Sequence, residues 1–171
     1  MLSHSGTDIR AACACGRVEL MLIGNPIVTS VCYCDDCQAG ARQLAALPGA
    51  PLLAGEDGGT AYVLFPKDRV RCVTGNSLLK SYKLKHESVT NRVVATCCNA
   101  PVFMNFDNVR HWVPIYRMRM LGNPPPIEMR ICTKFKPENV TVPDDIPSYP
   151  SYPPKFLLRL LAAWVPMLFR R

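Results

Sequence analysis

The chain has 171 residues, of which 49% are hydrophobic, so it is long enough and apolar enough to bury one domain core. Its formal charge of +7 comes from 20 Lys and Arg against 13 Asp and Glu, and the basic residues are scattered along the chain. A dense basic patch of the kind that binds nucleic acid is therefore not predicted.

The N-terminal residues carry no recognisable targeting signal. Residues 1–10 lack the basic start, the apolar stretch and the small-residue cleavage site of a secretory signal peptide. The nine cysteines are odd in number and stand in close groups, which favours metal ligation over disulfide bonds. Both observations predict a protein of the reducing cytoplasm.

Apolar and alternating runs, separated by Gly, Asn, Pro and Asp, predict a mainly β fold. The first two strands, at 17–23 and 27–31, are joined by Gly24-Asn25-Pro26 and predict a β-hairpin. Further strands are predicted at 60–65, 69–73, 78–84, 91–96, 101–106 and 111–117.

One short helix is predicted over residues 36–47, where Ala, Gln, Arg and Leu dominate the composition. Asp35 or Asp36 is the expected N-cap residue, and Pro48-Gly49 is the expected stop.

Two segments follow the predicted domain, which we place at residues 10–122. Residues 123–154 are too rich in proline for central strands or helices and are predicted to wrap the domain as extended chain. Residues 155–171 are apolar with basic ends and too short to span a bilayer, and they predict a helix. This helix could pack on the domain, on a second copy in a homodimer or, as a less favoured alternative, on a membrane surface.

Five cysteines in two groups point to metal binding. Cys13 and Cys15 are two residues apart, so on an extended backbone their sulfurs project from one face and can hold one ion together. Cys32, Cys34 and Cys37 bring three sulfurs to one point at the tetrahedral Zn–S distance of about 2.3 Å. Since a tetrahedral ion takes four ligands, three sulfurs leave one position open. Cys37 also lies near the predicted helix start, which stabilises a thiolate.

The remaining four cysteines are less decisive. Cys97 and Cys98 are adjacent, and neighbours on a strand point in opposite directions, so only a tight turn lets both sulfurs meet one metal. One of them is favoured over the pair, and a metal-free redox pair is an alternative. Cys72 and Cys132 stand alone, which favours buried free cysteines that behave as small hydrophobic residues.

The order of these groups is similar to that of a known family. Cys-x-Cys-Gly at Cys13, Cys-x-Cys-x-x-Cys at Cys32 and a late cysteine pair before Pro101-Val102-Phe103 resemble the glutathione-dependent formaldehyde-activating enzyme family, which also includes centromere protein V. Residues 75–82 resemble the Gly-x-x-x-Leu-x-x-Tyr strand entry of that family. The resemblance covers about residues 10–120.

The resemblance implies a zinc-pinned, β-tent-like fold of small coiled sheets with two zinc sites. One zinc would be structural, and its ligands would be Cys13, Cys15, Cys97 and Cys98. The other would be functional, and its ligands, which form the catalytic centre, would be Cys32, Cys34 and Cys37.

Three positions in two motifs depart from the family pattern. Ala95 stands where the first ligand of the late motif belongs, so Cys97 is the candidate replacement, and Asn99 stands where the family has glycine. Tyr33 occupies the position of the usual histidine inside Cys-His-Cys. A tyrosine, with an ordinary pKa of about 10, is a poor base near neutral pH.

The implied activity is that of a carbon–sulfur lyase that joins a thiol such as glutathione to a small aldehyde such as formaldehyde without an organic cofactor. Arg42 is the candidate cation for an anionic thiol, although a solvated surface position is favoured for it. His86 and His111 are acid–base candidates, although a structural role is favoured for both histidines. The alternative is a non-catalytic binding module stabilised by two zinc ions. A fourth protein ligand, such as Cys72 or Cys132, would favour that alternative.

Overall fold

The computed structural model describes residues 8–169, and within that range the chain forms ten β-strands and two α-helices. The strands are β1 Ile9–Ala12, β2 Glu19–Leu22, β3 Val28–Cys32, β4 Thr60–Pro66, β5 Val70–Thr74, β6 Leu79–Tyr82, β7 Thr90–Ala95, β8 Ala100–Phe106, β9 Trp112–Tyr116 and β10 Met129–Ile131. The helices are α1 Asp35–Ala45 and α2 Pro154–Leu168. The predicted mainly β class is confirmed. Residues 1–7, which carried most of the targeting prediction, and residues 170–171, at the end of the predicted C-terminal helix, lie outside the described residues.

The strands form two sheets. The small sheet is antiparallel, in the order β1-β2-β5. The large sheet has the order β10-β3-β4-β9-β8-β7-β6, and its pairings are antiparallel except at one edge, where β10 runs parallel to β3. All eight predicted strands are present. β1 and β10 were not predicted, because each is short and β10 lies in the proline-rich segment.

The predicted β-hairpin is wrong, because β2 and β3 lie in different sheets. The connection turns at Gly24, whose φ is +76°, and then crosses from one sheet to the other. The Ile23 N–H donates to the carbonyl of Arg69 at 2.9 Å, whereas the Ile27 N–H donates to the carbonyl of Leu64 at 2.7 Å. All five residues of β3 are buried. Such a strand needs neighbours on both edges and cover on both faces, which a two-stranded hairpin does not provide.

Helix α1 confirms the short helix predicted after the middle cysteine group. Its N-cap residue is Cys34, so the expectation of an aspartate N-cap is wrong. Asp35 and Asp36 lie instead in the first turn, where their negative charges interact favourably with the helix dipole. Leu44 and Ala41 bury the inner face of α1 against the large sheet's core.

The proline-rich segment runs along the edge of the large sheet and is fixed there through Arg130. The Arg130 N–H donates to the carbonyl of Pro147, and the Arg130 guanidinium pairs with Asp145 at 2.7 Å and donates to the carbonyl of Pro143 at 3.1 Å. Proline is tolerated here because an edge strand needs only one set of ladder hydrogen bonds.

Helix α2 packs on the domain by one side. Phe156 and Leu160 are buried, the Arg159 guanidinium pairs with Glu128, and the His111 ring Nε2 donates to the carbonyl of Leu160 at 2.6 Å. The helix leaves a second, apolar side exposed, formed by Leu157, Leu158, Leu161, Trp164, Val165 and Leu168. Cover of that side by a second copy stays a prediction. No helix within residues 8–169 is long and apolar enough to cross a membrane.

Candidate metal centres and the adjoining pocket

The first cysteine group joins the two sheets. Cys13 and Cys15 follow β1 of the small sheet, whereas Cys97 and Cys98 lie in the turn between β7 and β8 of the large sheet. The four sulfur atoms all lie within 4.8 Å of one another. These four residues, named here the Cys13 cluster, could hold a metal ion that ties one sheet to the other.

Both members of the adjacent pair belong to the Cys13 cluster, whereas the sequence favoured only one. The reason is a tight turn, in which the Cys98 N–H donates to the carbonyl of Ala95 at 3.3 Å and Asn99 has a φ of +49°. Asparagine adopts this left-handed conformation more readily than most residues with a side chain. Asn99 can therefore serve where the family pattern has glycine.

The sulfur separations in the Cys13 cluster fit zinc. Cys13 Sγ is 3.6 Å from Cys15 Sγ and 3.8 Å from Cys97 Sγ, and Cys97 Sγ is 3.3 Å from Cys15 Sγ and 4.0 Å from Cys98 Sγ. A tetrahedral zinc with Zn–S bonds of 2.3 Å places its sulfurs about 3.8 Å apart. The backbone N–H of Arg17, followed by the Cys97 thiol, lowers the pKa of Cys15 to about 7, which favours the thiolate that a metal requires.

The second group, named here the triplet, consists of Cys32, Cys34 and Cys37 and forms where β3 leads into α1. Cys32 is the last residue of β3, Cys34 caps α1, and Cys37 lies in its first turn. Their three sulfurs lie within 4.8 Å of one another and could also hold a metal ion. Cys32 and Cys37 are buried and Cys34 is partly exposed, so the group is open on the Cys34 side.

Cys34 is the triplet sulfur that is most readily ionised. Hydrogen bonds from the Cys32 and Cys37 thiols, and then from backbone N–H groups at the start of α1, lower its pKa to about 3. The Tyr62 hydroxyl lies 3.4 Å from Cys37 Sγ and donates to it. Within the triplet, the surrounding protein thus stabilises negative charge on Cys34.

A pocket of about 360 Å³ opens beside the triplet, and its size falls in the range of small-molecule sites. All three triplet cysteines line it, together with aromatic and aliphatic side chains from the large sheet and from α2. Two cations, Arg92 of β7 and Arg110, also line the pocket. The structure therefore places a sulfur group, positive charge and an apolar wall around one small volume.

Arg92 is a buried cation without a full set of partners. It is 2% exposed, and its Nη2 donates to the carbonyl of Asp36 at 2.6 Å, whereas its buried Nη1 has no hydrogen-bond partner among the described residues. Gly40 makes room for the guanidinium, because a Cβ at position 40 would lie 2.0 Å from Arg92 Nε. Since an unsatisfied buried charge is unfavourable, Arg92 is suited to an anionic ligand.

The three residues that the sequence offered as a substrate-binding cation or as acid–base groups do not line the pocket. Arg42 is exposed on α1 and does not line the pocket. The cations that line the pocket are Arg92 and Arg110. His86 lies exposed in the turn between β6 and β7, and His111 holds the backbone of α2, so neither lines the pocket. Arg92 was missed because it lies far from the triplet in sequence and its approach depends on strand order.

Tyr33, which replaces the family's histidine, has its ring turned away from the pocket. Its hydroxyl donates to Asp57 Oδ2 at 2.5 Å, the whole residue is buried, and it does not line the pocket. Burial, followed by the hydrogen bond to Asp57, raises the pKa of Tyr33 above its ordinary value. Tyr33 therefore stays protonated near neutral pH and anchors the loop that contains Asp57.

Replacing Tyr33 with phenylalanine is expected to lower the free energy of unfolding by about 1–2 kcal/mol, because Asp57 loses a hydrogen bond from a buried partner. The metal content should stay unchanged, since the ring does not reach the pocket. Chemical denaturation and metal analysis of the purified variant check both statements. A loss of metal with an intact fold would show that Tyr33 supports the triplet.

The two isolated cysteines have different surroundings. Cys72 is partly buried in β5 and donates to the carbonyl of Thr74 at 3.2 Å, so it lies outside both groups, as a free cysteine. Cys132 is 3% exposed and follows β10, whose Ile131 is aligned with Cys32. Its thiol interacts with that of Cys32, and this interaction is the largest cause that raises the pKa of Cys32. Cys132 is buried, as expected, but it is not isolated.

The fold and the two cysteine groups together define a mainly β protein with two candidate metal centres. The family model described as glutathione-dependent formaldehyde-activating enzyme matches residues 8–49, a segment that contains Cys13, Cys15 and the triplet. Over that segment the chain is similar to this family, in agreement with the resemblance seen in the sequence.

No curated protein matches the chain. Among solved structures, a crystal structure of a Rhodobacter sphaeroides protein, a structural genomics target, is 16% identical in sequence and has a TM-score of 0.47. The match covers 68% of this chain and 91% of that one.

Proposed function

We propose that this protein binds two zinc ions and uses the triplet to join a thiol such as glutathione to a small aldehyde such as formaldehyde. It would act as a carbon–sulfur lyase, similar to an S-(hydroxymethyl)glutathione synthase. The observation that carries the proposal is the placement of the triplet in the wall of a pocket that also holds the partly unsatisfied cation Arg92. The family match over residues 8–49 supports the choice of thiol and aldehyde.

The two groups would have different roles. The Cys13 cluster has four sulfurs, which is enough to occupy all four coordination positions of a tetrahedral zinc. We therefore assign this cluster a structural role. The triplet has three and borders the pocket, so we assign Cys32, Cys34 and Cys37 the functional role. Zinc held there would act as a Lewis acid that lowers the pKa of a bound thiol.

The pocket residues would bind and orient the two reactants. Arg92 and Arg110 would bind carboxylates of the thiol, and the apolar wall formed by Trp112 and Phe156 would keep water from the reacting atoms. The thiolate sulfur attacks the aldehyde carbon, a C–S bond forms, and the carbonyl π electrons move to the oxygen, which takes up a proton. No electron is gained or lost overall, so neither a redox partner nor an organic cofactor is required.

Tyr152 is the proposed hydrogen-bond donor to the aldehyde oxygen. It lines the pocket, and burial, followed by the negative sulfurs nearby, raises its pKa above the ordinary value. Its hydroxyl therefore keeps its proton near neutral pH and can donate to the oxygen as negative charge develops there.

The need for reduced cysteine thiols indicates the compartment in which the protein would function. The described cysteines are free thiols, and both groups need reduced sulfur to bind metal. We propose that the protein functions in the cytoplasm, where thiols stay reduced and glutathione is available.

Zinc analysis combined with a glutathione titration tests the proposed function. We expect two zinc ions per chain, and isothermal titration should show that glutathione binds at the triplet pocket only when the triplet zinc is present. A matched titration with S-methylglutathione, which has no free thiol, should show clearly weaker binding. One zinc per chain, or two that do not respond to thiols, would contradict the proposal.

The second candidate function is a non-catalytic binding module in which both zinc ions stabilise the β fold. The position of Cys132 beside Cys32 favours this candidate if Cys132 stays bound whatever thiol is present. The same titration separates the two functions, because a permanently closed site would not accept glutathione sulfur.

Replacing Arg92 with glutamine is expected to weaken glutathione binding about 10- to 100-fold, because a charge-assisted hydrogen bond to a carboxylate is lost in a buried site. Binding of the neutral thiol 2-mercaptoethanol should change little. Gly40→Ala should act in the same direction, since its Cβ would displace the guanidinium. Arg42→Gln is the matched control, and isothermal titration is the measurement. An equal loss for both thiols would show that Arg92 supports the fold and does not select the substrate.

A further inference from the structure

Cys132 lies closer to the triplet than its place in the sequence indicates. It directly follows β10, which pairs in parallel with β3 and aligns Ile131 with Cys32. The Tyr33 N–H donates to the carbonyl of Ile131 at 3.1 Å, which holds the chain before Cys132 against the triplet. The Cys132 side chain is 3% exposed and shares one buried cluster with Cys32 and Cys37.

The backbone directs this side chain inward. Cys132 has a φ of +59°, in the left-handed region that residues with a side chain rarely adopt. Hydrogen bonds on its C-terminal side keep this conformation, because the Thr133 N–H donates to the carbonyl of Tyr149 at 3.0 Å and the Phe135 N–H donates to that of Cys132 at 3.1 Å. The turn therefore positions the thiol of Cys132.

The Cys132 sulfur is near the triplet but not part of it. Its thiol interacts with that of Cys32, whereas the tight three-sulfur group consists of Cys32, Cys34 and Cys37 alone. A three-sulfur site that retains one buried thiol at its side has a candidate for its fourth tetrahedral position within the protein.

We propose that Cys132 is the fourth sulfur ligand of the triplet centre in the absence of substrate and that an incoming thiol replaces it. This inference rests on the proposed function, which needs a position for the substrate thiol. The exchange would balance: Cys132 would give up its place at the metal, the sulfur of the incoming thiol would take that place, and the proton of the incoming thiol would move to Cys132. No oxidation or reduction takes place.

The exchange explains how a site of buried thiolates avoids loss of its metal and unwanted ligands. When no substrate is bound, four protein sulfurs hold the ion as in a structural site. When a thiol with a carboxylate enters, its binding to Arg92 adds free energy that a simple thiol lacks, so the exchange favours anionic thiols. Cys132 would then act as an internal competitor of the substrate.

X-ray absorption at the zinc edge, on the full-length protein with two zinc ions, tests the inference directly. We expect an average of about four sulfurs per zinc in the wild-type protein and about 3.5 in Cys132→Ser, because one ligand of one site changes from sulfur to oxygen. Cys72→Ser is the matched control and should keep about four. The Cys132→Ser protein should also bind glutathione on the order of ten-fold more tightly, since the internal competitor is gone.

The outcomes separate the inference from the proposed function. If the sulfur average is equal in the wild-type and Cys132→Ser proteins while glutathione still binds, the inference is overturned and the proposed function stands. If the average falls in Cys132→Ser but glutathione binds neither protein, Cys132 is a permanent ligand, and both the exchange and the proposed function are overturned. Should Cys132→Ser fail to fold, Cys132→Ala and a cobalt-substituted wild-type protein titrated with glutathione provide the same comparison through the thiolate charge-transfer band.

Discussion

Replacing Cys15 with serine is expected to unfold the domain. Cys15 belongs to the Cys13 cluster, whose other half, Cys97 and Cys98, lies on the other sheet, so a metal held there cross-links β1 to the β7–β8 turn. A structural zinc contributes on the order of 10 kcal/mol to folding, whereas a whole domain is stable by about 5–15 kcal/mol. The loss of one ligand therefore removes a large fraction of the stability.

Cys15 is a favourable position for this experiment because its side chain is exposed. Serine removes one sulfur and leaves no cavity in the core, so any large effect reports on the metal. Far-UV circular dichroism, thermal unfolding and zinc analysis of the variant are the measurements. Cys72→Ser is the control on the same small sheet, and we expect a change of about 1 kcal/mol or less there.

A Cys15→Ser protein that stays folded with two zinc ions would contradict the structural role of the Cys13 cluster. A folded protein with one zinc would contradict only the predicted size of the cluster's contribution to the free energy of unfolding. Addition of a strong chelator to the wild-type protein should reproduce the unfolding, because it removes the same cross-link.

Replacing Cys34 with serine is expected to leave the protein folded but without its function. The variant should lose the zinc of the triplet, fail to bind glutathione and lose activity by at least about 100-fold, because direct ligands matter at least as much as the groups that support them. The fold should persist because β3 is paired on both sides and α1 is held by Leu44 in the core.

Serine at position 34 also suits the local structure. Cys34 is the N-cap residue of α1 and makes no side-chain capping hydrogen bond, whereas serine is among the preferred N-cap residues. The start of α1 should therefore be kept or slightly stabilised. Zinc content, glutathione titration and thermal unfolding are measured on the same sample.

Comparison of the two serine variants tests the division of roles between the two groups. Equal loss of fold in Cys15→Ser and Cys34→Ser would show that both groups are structural and would favour the binding module. Equal retention of fold would show that neither metal supports the domain. An unfolded Cys15→Ser protein beside a folded, inactive Cys34→Ser protein is the result that the proposed division of roles predicts.

The local features of this protein were determined by the sequence. These features depend on the spacing of residues that lie within a few positions of one another and on the turn residues between them. They are the triplet, the pair Cys13 and Cys15, the eight predicted strands and α1. The family match over residues 8–49 has the same origin, because two of the three cysteine motifs lie in that short segment.

The tertiary structure decided what these features contact. Burial of β3 on both faces separated it from β2, and the tight turn at Asn99 brought both Cys97 and Cys98 to Cys13. The strand order of the large sheet places Arg92 at the pocket, and the parallel edge strand β10 places Cys132 beside Cys32. Each of these contacts joins residues distant in sequence, and such contacts depend on sheet order and burial, which no local spacing encodes.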